Sequence, residues 1–388
     1  MLLPSTNHAM LLKVSTAVTA ARLASIDTIR GIAVLGILLL NVFSMGVSLY
    51  DYVPHQQANF ADKLWQVLYY FVLRDRFMSL FAMLFGAGLY LQWQRFAGAT
   101  DLLKRRMYWL LVLGVLHCIL IWPGDILFNY AVCGLILLRY LKQPPQAMLA
   151  LALRLFVMGV LLSGVASLLA GDIPPIYRES AEFQQEVSLW TGAYQQQVAL
   201  QAMYWVGDLL YFPLTYLWQL LGLMLLGAYA VRSGWFTVGL AHYSRFLLPS
   251  SVLLSAIAYL IATSENAALT GVAEAVTNVA ALPMSLWIIH QLAKSQYRSS
   301  SIFSALQAVG RMPLTLYIGQ SVAGVLLFRH IAPELNVSLD WYGYLAIAML
   351  WNAVQLVIAS LWLHYFAQGP LESLWRKLAF GRNYHPAP

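Results

Sequence analysis

The sequence predicts an all-α fold, a polytopic transmembrane helical bundle of about ten to eleven spans forming a single integral membrane domain over residues 1–388. Three observations carry this. Hydrophobic residues make up 60% of the chain and charged residues 10%, with a mean hydropathy of +0.67. A soluble domain carries about 25% charged residues, so there is too little charge here to cover a water-facing surface. Apolar runs near the ~20 residues needed to cross hydrocarbon recur along the chain, and 13 Trp and 22 Tyr suit belts of amphipathic rings at headgroup level. Membrane lipid is therefore the main partner. The formal charge of +7 needs no nucleic-acid partner, because lysines and arginines that hold loops in the cytoplasm give the same sum.

In chain order the expected spans are approximately 30–50, 77–95, 107–123, 126–141, 147–170, 211–231, 246–264, 267–291, 312–330 and 341–366. The fourth is short and must be tilted, enclosed by the bundle, or longer than drawn. Residues 62–73, DKLWQVLYYFVL, are too few to span and read as a helix lying in the interface, or fused with the next span. Residues 22–142 form an N-terminal group of helices and residues 211–388 a C-terminal group. Between them the segment 171–210 enters through Pro174 and Pro175 and continues as a glutamine-rich stretch with spaced aromatics. It suits an interfacial helix, a lid or a plain solvated connector. Residues 1–21 lack the order of basic, apolar and small residues that a cleavable signal peptide needs. Short repeats and the inverted repeats of many transporters are not visible.

Charge sets the expected orientation. With the N-terminus inside, 18 of the 23 lysines and arginines fall on the cytoplasmic side, leaving Lys63, Arg74, Arg76, Arg178 and Arg329 outside. Thirteen of the 16 acids fall outside. The excess of Lys and Arg in short inner loops puts both termini in the cytoplasm.

Polar residues at membrane depth cost at least ~2.5–3.5 kcal/mol each when charged, which makes them candidates for function. In SIDTIRGIAVLGILLLN (25–41), Asp27 and Arg30 stand three apart on one face, able to pair, while Gly31 and Gly36 admit another backbone. Arg30 lies at the cytoplasmic mouth, where a guanidinium can hold a phosphate, or simply help set topology. In GVLHCILIWPGDILFNYAVCG (114–134), His117 lies within a span and Asp125 follows a Trp-Pro-Gly turn, with Asn129 and Tyr130 as further donors. A carboxylate beside a neutral imidazole is the ordinary way to orient a general base. The two meet only if this hairpin folds tightly, and His117 is otherwise a core histidine. In RDRFMSLFAMLFGAG (74–88), Arg76 and its neighbours sit at the outer mouth, ready for an anion or merely a charged helix start. His55 lies in the preceding loop beside Asp51 and Asp62. Cys118 and Cys133, the two cysteines, fall in apolar runs and read as packed thiols. Phosphate-loop, dinucleotide and HExxH motifs are absent, so no metal site is supported.

The blocks DTIRGIAVLGILLLNVF, RFMSLFAMLFGAGLYLQ, GVLHCILIWPGDILFNYAVCGLI, GRMPLTLYIGQS and the tail GPLESLWRKLAFG together resemble the YeiB-like bacterial inner-membrane family, in the same order and over nearly the whole chain. The last third of that family is a domain of unknown function. The opening D-x-x-R-G-I-A block also resembles that of the acyltransferase-3 membrane proteins and of the lysosomal heparan-α-glucosaminide N-acetyltransferase. This kinship implies a transmembrane-acyltransferase-like fold in the bacterial inner membrane. It further implies an acyl-CoA or acetyl-CoA donor from the cytoplasm, no tightly bound cofactor, and a small-molecule acceptor with a hydroxyl or amine at the far face. A homodimer is compatible with it.

Acyltransferase-3 proteins carry a histidine at the end of that block, where this chain has Asn41. The lysosomal enzyme resembles this chain in having asparagine there, with its histidine in the next external segment. That makes His55 one matching candidate, at a different spacing, and His117 the other. On this reading Arg30, Asp27 and Arg311 serve the donor's phosphates, His117 oriented by Asp125 is the base, and Asn41 or Tyr130 donates to the oxyanion. Two rivals explain a buried histidine and aspartate equally well: a small-molecule transporter or exporter, and a membrane subunit without chemistry.

Overall fold

The computed structural model describes residues 6–47, 51–57, 60–170, 176–264, 269–293 and 300–381, with side chains from residue 24 onward except 170 and 270. Pro174, Pro175, Lys294, Arg298 and Arg382 lie outside the described residues and the side chains of Lys13 and Arg22 outside the described side chains, and with them part of the charge pattern. Every regular element among the described residues is helical. The first half comprises α1 (Thr6–Asn41), α2 (Phe60–Leu68), α3 (Arg76–Arg95), α4 (Asp101–Leu120), α5 (Leu127–Leu137), α6 (Pro145–Ala170), α7 (Ala181–Trp190) and α8 (Tyr194–Leu214). The second comprises α9 (Leu217–Arg232), α10 (Trp235–Val238), α11 (Ser244–Ala262), α12 (Thr270–Ala293), α13 (Ser301–Arg311), α14 (Pro313–Val325), α15 (Leu335–Ser338), α16 (Trp341–Tyr365) and α17 (Pro370–Phe380).

Among the described residues six stretches are long and apolar enough to cross a membrane: Ala24–Ser44, Pro145–Leu169, Ser244–Ala262, Gly271–Ala293, Pro313–Ile331 and Trp341–Tyr365. They become seven if α8 and α9, bent by 66° where they meet, are one span. These helices make the chain a membrane protein. The expected ten exceed that number by the stretches now seen as α3, α4 and α5. α3 lies inside the bundle, burying Arg76, Leu80, Met83, Leu84, Gly86 and Leu89, and α5 has only 11 residues.

Helix backbones meet at reciprocal glycines. A Cβ on Gly86 of α3 would strike the Met224 carbonyl of α9, and one on Gly227 of α9 would strike the Met83 carbonyl of α3. The crossing of α1 and α13 is built the same way, with Gly31 against the Leu306 carbonyl and Gly310 against that of Asp27. Such close approach is how helices gain packing energy in lipid. Gly36 instead makes room for the Phe77 ring. A polar ladder adds to the α1 contacts. Gln320 of α14 donates to the Val34 carbonyl (3.3 Å) and to Gln355 Oε1 (3.0 Å), and Asn352 of α16 donates to the Leu35 carbonyl (3.0 Å).

At the end of the bundle reached by the C-terminus of α1, loops fold into an ordered cap. Arg329, 2% exposed, donates from Nε to the carbonyls of Met45 (3.1 Å) and Gly46 (2.9 Å) and lies over the Trp190 ring. Arg178, also 2% exposed, ties Val53 (2.7 Å) to Val337 (3.1 Å). α7 buries Phe183 and Trp190 against Val47 and Val53, so this part of the 171–210 segment is packed rather than a solvated connector. α2 leaves Phe60, Leu64 and Val67 exposed on one face while Trp65 stacks on Trp341. It does not fuse with α3. A π-helical turn (Tyr69–Leu73) and Asp75, with φ of +62°, break the chain between them.

His55 belongs to this cap. Its Nδ1 lies 2.6 Å from Glu179 Oε1 and its Nε2 3.2 Å from Asp340 Oδ1, so both ring nitrogens are committed to carboxylates on separate segments. That arrangement makes it a clasp and leaves neither nitrogen for a substrate proton. The hydrogen bond from His55, with the Gln56 amide, holds the Glu179 carboxyl down at about 2. The Tyr342 hydroxyl, followed by His55, lowers that of Asp340.

Two outcomes follow for stability. Gly310→Ala should destabilise the protein by about 1–3 kcal/mol through overpacking. Gly319→Ala in α14, where nothing lies within 4 Å, should be neutral or gain up to about 1 kcal/mol of helix propensity; thermal unfolding in detergent compares them. Because the folded carboxyl of Glu179 is depressed, its contribution to the clasp is fully present above about pH 4.5 and is lost as pH falls toward about 2. Pepsin cleavage within residues 51–57 should therefore rise over that interval, and Glu179→Gln should show the raised cleavage already at about pH 5.

Candidate functional site

A cavity of about 230 Å³ opens at the end of the bundle opposite the cap. Its mouth carries four guanidinium groups from four helices: Arg30 of α1, Arg106 of α4, Arg311 of α13 and Arg376 of α17. Arg30 pairs with Asp27 at 2.9 Å, the three-residue spacing placing both on one face, and also donates to the Gly310 carbonyl at 3.1 Å. That second bond follows from the glycine crossing, which brings the end of α13 onto α1. Arg311 donates to the Ala367 carbonyl at 3.0 Å. Arg106 lies over the Trp375 ring at 3.8 Å, while the Trp375 indole donates to the Arg106 carbonyl at 2.8 Å. A cation held over an indole face in this way keeps its charge without a carboxylate partner.

Glu372 of α17 is the acid that joins this mouth. Its Oε1 accepts from the Leu314 and Thr315 amides (2.7 and 3.1 Å) and its Oε2 from the Thr315 hydroxyl (2.5 Å). It thus caps α14, whose first residue, Pro313, needs no donor satisfied. The carboxylate is spent on the helix dipole, so the guanidinium groups outnumber the acids at the mouth.

Deeper in, the lining turns apolar and aromatic: Phe81, Phe85, Leu110, Leu127, Tyr130 and Tyr317. Tyr317 connects the cavity with the next feature. Its hydroxyl accepts from the Ile126 amide (3.2 Å) and donates to the Gly124 carbonyl (3.3 Å), and its ring packs on His117 with centroids 5.4 Å apart.

His117 and Asp125 are in contact, Nδ1 to Oδ1 at 2.8 Å, both side chains 1% exposed. The hairpin closes tightly for three reasons. Pro123 and Gly124 turn the chain, Trp122 pins the turn by donating to the Ser44 carbonyl at the end of α1 (2.9 Å), and Gly114 leaves the space that Asp125 and Phe128 fill. Asp125 Oδ2 accepts from the Phe128 amide at 2.9 Å. With both carboxylate oxygens accepting, the imidazole is assigned as donating from Nδ1, and its buried Nε2 has no protein partner. That is the geometry of an oriented base.

The other expected site residues are distributed as follows. Asn41, half-buried, ends α1 three residues before the carbonyl that receives Trp122. Tyr130 lines the cavity and donates to the Met78 carbonyl at 3.2 Å. Asn129 joins a different network, with Asp208 (3.3 Å) and Tyr216 (3.0 Å) at the α8–α9 bend. Arg76 does not line a mouth. It is fully buried, bound to the Arg74 carbonyl and to Ser255, because the break at Asp75 turns it inward while Arg74 takes the position beside Glu274 (2.6 Å). Cys118 and Cys133 are buried and free. Among the described residues no group of His, Cys, Asp and Glu is placed to hold a metal ion.

Sequence reasoning missed Arg106, Glu372, Trp375, Arg376 and Tyr317. The signal available was the block GPLESLWRKLAFG, which mixes acid, base and tryptophan in a short helix; its landing place against α4 and α14 was not readable.

Comparison with known proteins agrees with the five sequence blocks. Residues 230–382 match the family described as "Protein of unknown function (DUF418)". The "Uncharacterized protein YxaH" of Bacillus subtilis (strain 168) is 26% identical over 93% of this chain and 95% of its own length. An "Uncharacterized 39.9 kDa protein in amylase 3'region" of Bacillus acidopullulyticus is 25% identical over 94% and 95%. No solved structure matches the chain. The "Uncharacterized protein YeiB" of Escherichia coli (strain K12) is 31% identical over 92% of this chain and 96% of its own length, and the chain therefore belongs to the YeiB-like family.

Proposed function

We propose that the protein is a membrane-bound acyltransferase that takes an acyl group from acyl-CoA at the cytoplasmic face and delivers it to a small-molecule hydroxyl or amine acceptor. One observation carries the reading. The cavity has phosphate-binding chemistry at its mouth, in Arg30, Arg106, Arg311 and Arg376, and its inner residue Tyr317 rests on the His117–Asp125 pair. Guanidinium groups bind phosphates bidentately, and the apolar depth suits a slender, uncharged arm.

The chemistry needs few parts. His117 Nε2 takes the proton from the acceptor while its oxygen or nitrogen attacks the thioester carbonyl carbon. Asp125 holds the ring by Nδ1–H and balances the imidazolium that forms. The carbonyl oxygen becomes an oxyanion, to which Asn41 or Tyr130 would donate, Tyr130 by turning its hydroxyl proton away from the Met78 carbonyl while the ring stays in place. As the C–S bond breaks, the CoA thiolate leaves and recovers the proton from His117. Acyl product and free CoA result. Holding both substrates in line supplies much of the acceleration.

The same reading sets the protein in the bacterial inner membrane with both termini cytoplasmic and about ten spans. α3 and α5 count as spans because helices enclosed by others need not be as apolar as helices facing lipid, and α4 counts because it exposes Val112, Leu116 and Leu120 and carries its charges near one end.

Binding and turnover of acetyl-CoA by purified protein in detergent test the proposal. Arg30→Ala and Arg376→Ala should each weaken binding by about 10–100-fold, the loss of a charge-assisted contact of roughly 1.5–3 kcal/mol. His117→Ala should lower release of free CoA by about 10²–10⁴-fold with donor binding kept. Absence of saturable binding by folded protein would overturn the reading, and a carrier would leave the thioester intact.

A further inference from the structure

Resting on the acyl-transfer reading, we infer that Tyr130 and Tyr317 form a rigid end wall that restricts the donor to a short acyl group. The cavity, at about 230 Å³, falls below the roughly 300–1,000 Å³ usual for small-molecule sites. Its volume is shared with the arm that must pass the arginines, so little remains beyond the thioester.

What stands at the inner end is held on several sides. The Tyr130 ring packs against Phe81 and Phe85, with centroids 5.6 and 5.3 Å away, and its hydroxyl donates to the Met78 carbonyl. Tyr317 is held by its two bonds to the backbone of the turn between α4 and α5 and by the His117 ring. Swinging Tyr317 aside leaves the Ile126 amide without its partner, and swinging Tyr130 aside leaves its own hydroxyl without one in an apolar interior, which is costly. A flexible wall of methionines would adapt to longer chains; hydrogen-bonded tyrosines do not. Carbons beyond the carbonyl of a bound thioester meet the wall.

The experiment compares binding of acetyl-CoA, butanoyl-CoA and octanoyl-CoA, the last below its critical micelle concentration, with CoA as reference. Wild type should bind octanoyl-CoA at least about tenfold more weakly than acetyl-CoA. Tyr130→Ala should narrow that gap to within about threefold, whereas Tyr130→Phe, which keeps the ring, should preserve it. Leu127→Ala, which widens the same end of the cavity, replaces Tyr130→Ala if the latter does not fold. Equal affinity of wild type for the two thioesters, or an undiminished gap in the enlarged variants, overturns the end wall and leaves the donor site standing. If folded wild type binds neither CoA nor any thioester, the acyl-transfer reading itself falls.

Discussion

Contact between helix backbones at paired glycines is the constraint on which the rest of this structure depends. Lipid tails are as apolar as leucine, so helices in a membrane gain little from burying apolar side chains and rely on close packing. At the α1–α13 crossing, Gly31 and Gly310 each face a carbonyl of the other helix. That contact brings Arg30 within reach of the Gly310 carbonyl and sets Arg311 at the same mouth. At the α3–α9 crossing, Gly86 and Gly227 lock the helix that presents Phe81 and Phe85 to Tyr130. The positions of the charged mouth and of its aromatic interior are thus consequences of where side chains are missing.

The two ends of the bundle solve opposite problems. At the cap, buried arginines are satisfied by backbone carbonyls, as Arg329 is by Met45 and Gly46, so loops are drawn in and water is kept out. At the mouth, guanidinium groups converge and the nearest acids are already occupied, Asp27 by Arg30 and Glu372 by the start of α14. One end spends its positive charge on structure; the other keeps it in surplus around a cavity. The His117–Asp125 hairpin sits between these regimes, tied to α1 through Trp122 and to α14 through Tyr317.

Local spacing was legible in the sequence and distant folding was not. Asp27 and Arg30 pair because three residues is a helical interval, and any reader of the sequence can see it. His117 and Asp125 required a tight turn, and Trp-Pro-Gly announced one, although the bond that pins it runs to Ser44, 78 residues away. Arg106 and Trp375 are 269 residues apart, and nothing in either segment names the other. Arg76 was misplaced for a related reason. Sequence shows that a charge lies near a helix end, but not whether the backbone turns it inward, as the left-handed Asp75 does. The sequence reads 77–95 as a span, yet α3, enclosed by its neighbours, is not among the stretches apolar enough to cross a membrane.

The cap on α14 also bears on the order in which the site comes into being. Glu372, Trp375 and Arg376 lie on the last described helix, and the elements they touch, α4 and α14, are synthesised earlier. While a chain is being made, its spans can insert and its glycine crossings can close, yet the start of α14 has no carboxylate and the mouth lacks one wall. The cavity is completed only when residues 370–380 have left the ribosome and folded back. Assembly of the mouth thereby waits on α17: a chain stopped short of it fills its place in the bilayer without acquiring that wall.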